Sequence, residues 1–85
     1  MELKLFIGGL SWGVNDDMLR EAFEKAGEVT SAVVITDRMS GRSKGFGFVE
    51  MATEDEAQAA IDMYHEQEID GRKVIVNEAR PREDR

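Results

Sequence analysis

Apolar and polar residues alternate along some stretches of this chain and recur at helical spacing along others. Leu3-Lys4-Leu5-Phe6-Ile7 alternates as a strand does and stops at Gly8-Gly9. After a loop through Ser11, Trp12 and Gly13, Asn15 is a good helix N-cap, and Asp16 and Asp17 suit the positive end of a helix. Leu19, Ala22, Phe23 and Ala26 then fall at i, i+3, i+4 and i+7, one apolar helical face, with Gly27 where a C-cap glycine is expected. Val29 to Thr36 is rich in β-branched residues and predicts a second strand. The basic loop from Arg38 to Ser43, which includes Arg42, leads into a third strand, Lys44 to Met51.

Thr53-Glu54-Asp55-Glu56 reads as a capping box, and the helix it opens carries Ala57, Ala60, Ile61 and Tyr64 on one side. Asp70-Gly71 is a turn signal, Lys73 to Asn77 alternates as the last strand, and residues 80–85 are polar with nothing to bury. The order β-α-β-β-α-β predicts an α+β fold, a ferredoxin-like sandwich in which two helices cover one face of a four-stranded antiparallel sheet. The expected domain spans residues 1–80, followed by a polar tail over 81–85.

Two helices cover only one face of such a sheet. Side chains alternate between faces, so Leu5, Ile7, Val49 and Met51 form the natural partner of the helices. Phe6, Phe46 and Phe48 are thereby left on the open face, with Lys4, Lys44 and Glu50. The alternation also places Ser31, Val33, Ile35, Lys73, Ile75 and Asn77 there. An aromatic cluster exposed on a small domain marks an interaction site.

These residues carry a resemblance. Lys44-Gly45-Phe46-Gly47-Phe48-Val49-Glu50-Met51 resembles the octamer motif of RNA-recognition-motif domains, departing from it at the last position, which is usually aromatic. Leu5-Phe6-Ile7-Gly8-Gly9-Leu10 resembles the hexamer motif of the same family, with Gly9 where asparagine is common. The resemblance spans essentially the whole chain and is strongest to short bacterial, particularly cyanobacterial, and plant glycine-rich members. It implies single-stranded RNA as ligand, single-stranded DNA as a substitute, and a role in post-transcriptional regulation or RNA chaperoning. It also implies that Phe6 and Phe46 each stack a base, that Phe48 packs against sugars and that Lys44 meets phosphate. Aromatic stacking suits unpaired bases because each exposes a π-face, worth roughly 1–3 kcal/mol per base.

The net charge of −7 argues against nucleic-acid binding until the charges are mapped. Residues 15–28 and 53–70, which hold both helices, carry twelve acids and two bases; the remainder carries nine bases and six acids. The basic excess therefore falls on strands, loops and tail, at Lys4, Arg42, Lys44, Lys73, Arg80 and Arg82 among others, and these are the candidate phosphate contacts. Charges on opposite faces are more than about a Debye length apart and are largely screened from one another. Gly45 and Gly47 leave the helix-facing side of their strand bare, which would ease close packing.

Other readings follow from the same residues. The acidic helical side could dock a basic protein partner, making the chain a protein-interaction module. A small ferredoxin-like hydrolase would need a phosphate-cradling loop, and residues 8–14 offer no arginine or lysine. The chain is therefore read as a binding domain without catalytic residues, metal or cofactor. Trp12 is expected to pack locally, His65 to sit in a solvated loop, and the acids at 16–17 and 54–56 to serve helix starts rather than a metal. With no cysteine, no long apolar run and strand-like sequence from Leu3, the expectation is a soluble cytoplasmic monomer with no leader, membrane segment or disulfide.

Overall fold

Asn15 and Thr53 start the two helices where their side chains predict. The Asn15 Oδ1 accepts the Met18 N–H at 2.8 Å and the Thr53 hydroxyl accepts the Glu56 N–H at 3.2 Å, each satisfying a donor that a helix start leaves free. A computed structural model describes residues 3–69 and 71–79, the side chains of residues 43 and 44 excepted. Its elements are β1 (Lys4–Gly8), α1 (Asp16–Glu24), β2 (Val29–Thr36), β3 (Ser43–Met51), α2 (Glu54–Tyr64), β4 (Glu68–Ile69), β5 (Arg72–Lys73) and β6 (Ile75–Glu78).

The main sheet runs β2-β3-β1-β6, with every neighbouring pair antiparallel, and the two helices pack on one face. This is the expected ferredoxin-like sandwich. Leu5 and Ile7 of β1, Val49 and Met51 of β3, and Val76 of β6 are fully shielded against Leu19, Phe23, Ala57 and Ala60 of the helices. Each large apolar side chain withdrawn in this way stabilises the fold by about 1.5–3 kcal/mol. Met51 is thus a core residue, and its departure from the aromatic octamer position is accommodated by packing. Tyr64 joins the helices: its ring lies 4.7 Å from that of Phe23 and its hydroxyl donates to the Ala22 carbonyl at 2.6 Å. Burial pushes that hydroxyl's pKa above its usual value.

Three local expectations change. α1 ends at Glu24 with Lys25 as a right-handed cap, so Gly27 is not a left-handed C-cap. Gly27 is bare because the stem of Glu56 crosses it, and a Cβ there would stand 2.7 Å from the Glu56 Cβ. The last strand is not continuous from Lys73 to Asn77. Arg72 and Lys73 pair with Ile69 and Glu68 in a separate two-stranded ribbon, and β6 begins at Ile75. Gly47 is bare for its neighbouring strand rather than for the helices: a Cβ would run into the Val33 carbonyl and stand 3.0 Å from the Val34 Cα on β2. A Cβ on Gly45 would meet only the Leu10 carbonyl, at 3.8 Å, and Gly45 is instead needed for its φ of 89°.

Candidate nucleic-acid interface

The central strands β1 and β3 bring the two motifs side by side. Their register sets Phe6 opposite Phe48, Gly8 opposite Phe46 and Lys4 opposite Glu50. Alternation then does the sorting. Gly47, Val49 and Met51 are buried toward the helices, whereas Phe46, Phe48 and Glu50 remain partly exposed on the other face. The three rings form a cluster with centroid separations of 5.7 Å (Phe6–Phe46), 5.8 Å (Phe6–Phe48) and 6.3 Å (Phe46–Phe48). Phe46 and Phe48 meet edge to face at 87°, while Phe6 and Phe46 are tilted by 33°. Phe6 and Phe46 are thus closer in orientation to each other than either is to Phe48, whose ring lies at 64° to Phe6 and 87° to Phe46.

Gly8 belongs to this arrangement. Phe6 leans along β1 across it, so that a Cβ on Gly8 would stand 3.0 Å from the Phe6 ring. In the sequence Gly8-Gly9 reads only as a strand end. The aromatic at i−2 on the same face is the signal that marks Gly8 as part of the site.

Around the rings lie charged, polar and apolar side chains. Lys4 is exposed and holds its Nζ 5.8 Å from the Phe48 centroid, a cation over an aromatic face. Asn77 of β6 is exposed opposite Phe6, and Val33 and Ser31 of β2 are exposed opposite Phe48 and Glu50. Lys73 is exposed, but on the small ribbon rather than in the sheet. Lys44 is the second residue of β3 and its side chain lies outside the described residues, as do Arg80 and Arg82 entirely.

Trp12 departs from expectation. It is 61% exposed rather than packed, and the Arg42 guanidinium lies 5.7 Å from its ring centroid. The Leu10 N–H donates to the Gly45 carbonyl at 2.8 Å, tying the loop that carries Trp12 to the start of β3. Trp12 and Arg42 therefore stand at the Phe46 end of the sheet. The adjoining cleft, about 470 Å³ and lined by Trp12, Asn15, Asp16, Val34, Thr36 and Gly41 among others, lies beside the open face rather than on it. A flat aromatic surface, not a cleft, is the feature that bases can stack upon.

His65 caps α2 rather than standing in a free loop. Its Nδ1 accepts the Val76 N–H at 3.2 Å, which tethers the helix end to β6. Among the described residues no three histidine, aspartate or glutamate side chains come together as metal ligands, and no helix is long and apolar enough to cross a membrane.

Comparison with known proteins identifies the family of the fold. The family model for the RNA recognition motif matches residues 5–75. Over 82 residues the chain is 52% identical to the mitochondrial glycine-rich RNA-binding protein 4 of Arabidopsis thaliana, covering 96% of this chain and 60% of that one. It is 50% identical to glycine-rich RNA-binding protein 1 of Mycosarcoma maydis, covering 96% and 47%. The chain thus spans about half the length of the curated relatives it matches. Among solved structures, the RNA-binding protein PG1 superposes with a TM-score of 0.88 at 46% identity, covering 98% of this chain and all of that one. A family model matched over residues 5–75, most of the chain, on a fold whose two motif strands lie side by side at the sheet centre, leaves one assignment: the chain belongs to the RNA recognition motif family.

Proposed function

We propose that this chain binds single-stranded RNA on the open face of its sheet, with bases stacked on Phe6 and Phe46 and the sugars between them against Phe48. The observation that carries the reading is the cluster of three partly exposed rings within about 6 Å of one another, on the face that the helices leave bare. Lys4 and Asn77 flank the rings on β1 and β6, and Lys44 and Arg42 supply cations at the start of β3. Trp12 lengthens the aromatic track beyond Phe46. The names of the relatives, RNA-binding proteins of plants and a fungus, and a 28%-identical solved protein–RNA complex with a TM-score of 0.86, support RNA as the ligand.

The proposal extends to post-transcriptional regulation or RNA chaperoning, since stacking holds strands unpaired with little regard for sequence. The family assignment weighs against a small hydrolase, and no observation favours a protein partner on the helical side over RNA on the sheet. Fluorescence-anisotropy titration with a short single-stranded RNA, its duplex form and the equivalent single-stranded DNA tests the reading. The single strand should bind and the duplex, whose bases are stacked on each other, should not. Duplex binding of equal strength would overturn it.

A further inference from the structure

Glu50 is the only acid whose side chain the register places on the open face of the main sheet among the described residues. It is partly buried between Lys4 on β1 and Ser31 on β2, its Cα partners. Its carboxylate forms no ion pair or hydrogen bond among those residues, and Lys4 holds its Nζ over the Phe48 ring. An acceptor and a donor therefore stand side by side, unspent on each other. Phe6 lies one step further along the face: Lys4 is two residues away on the same strand, about 7 Å, and Glu50 is its diagonal neighbour across the Phe6–Phe48 pair. Both side chains are long enough to reach the rim of a base lying on Phe6.

A carboxylate accepts only, and its two oxygens are both satisfied by a group offering two parallel N–H donors. Among the four RNA bases only guanine presents this on its Watson–Crick edge, N1–H beside the 2-amino group, with the O6 acceptor adjacent. Uracil has one donor between two acceptors. Cytosine and adenine each offer a single amino group next to an acceptor, which a carboxylate would repel. We propose that Glu50 and Lys4 together select guanine at the position stacked on Phe6, Glu50 accepting N1–H and the 2-amino group and Lys4 donating to O6. This rests on the stacking proposal and adds a base preference to it.

The test is anisotropy titration of an all-uridine strand, the same strand with one guanosine at each position in turn, and the best of these with inosine, which lacks the 2-amino group. The natural chain should prefer one guanosine position over uridine about ten-fold, and inosine should lose part of that gain. Glu50→Ala should erase the guanosine preference while leaving the all-uridine strand bound as well or better. If Glu50→Ala tightens both strands equally, or no guanosine position is preferred, Glu50 is only a repulsive charge and the inference falls. Phe6→Ala separates the two proposals. Its weakening of all strands keeps the stacking reading whatever Glu50 does, and unchanged binding of every strand overturns both.

Discussion

Asp16 of α1 accepts the backbone N–H of Val34, in the edge strand β2, at 2.6 Å. Val34 sits just before a register shift in the β2–β3 ladder, and four residues along the helix Arg20 donates to the Val29 carbonyl of the same strand at 3.1 Å. An edge strand has donors and acceptors without a partner strand, and here two side chains of α1 occupy one of each. Asp16→Ala should lower stability by about 1.5–3 kcal/mol, the range for a hydrogen bond to a charged group, and Asp16→Asn by less. Chemical denaturation of the three proteins measures it; equal stability would mean that the contact contributes nothing net.

Removing one stacking ring should separate binding from folding. Phe46→Ala, or Phe6→Ala, should weaken RNA binding by about 1–3 kcal/mol, because one base loses its platform. The far-ultraviolet circular dichroism should not change, since neither ring belongs to the buried set. Unaltered affinity in a folded variant would refute stacking as the source of binding.

The complementary substitution lies one residue from a ring. Val49 is fully buried between Phe48 and Glu50, facing the helices. Val49→Ala should cost about 1–3 kcal/mol, and so lower the thermal midpoint by several degrees, with RNA affinity unchanged wherever the protein stays folded. Weakened binding at constant stability would invert the two faces.

Salt dependence should be shallow. Lys4 is the only cation that the register sets on the sheet's open face among residues with described side chains, and Glu50 opposes it there. Two or three phosphate contacts on a single strand give a log–log slope of roughly −1.5 to −2. On an all-uridine strand Glu50→Lys should tighten binding and steepen the slope, since it exchanges a repulsive charge for an attractive one. A slope near −5 for the natural chain would show that many more cations converge on the RNA, against the charge map drawn from the sequence.

The faces of β1 and β3 were legible in the sequence because period-two alternation is a local signal, and Leu5, Ile7, Val49 and Met51 obey it against Phe6, Phe46 and Phe48. Element order was legible for the same reason, with Asn15 and Thr53 marking both helix starts. What escaped depends on contacts between distant residues. The β4–β5 ribbon has two residues per strand, too few for a period, so by sequence Lys73 reads as part of the sheet. Gly27 looks like a cap until Glu56, twenty-nine residues later, is seen to cross it. Asp16 is a sound helix-start residue, and nothing local says that it also holds Val34. Trp12 has no periodic neighbours to bury it, and its contact with Arg42, thirty residues away, is not a local signal.

The alternation along β3 also means that recognition and folding share one reading frame. Inserting or deleting a single residue between Phe46 and Val49 would turn the downstream side chains over, presenting Val49 and Met51 to solvent and driving Glu50 toward the helices. Such a lesion would abolish ligand binding and stability together, whereas substitutions that keep the frame can alter either alone. The open face can therefore be rewritten, one alternate position at a time, without renegotiating the core beneath it.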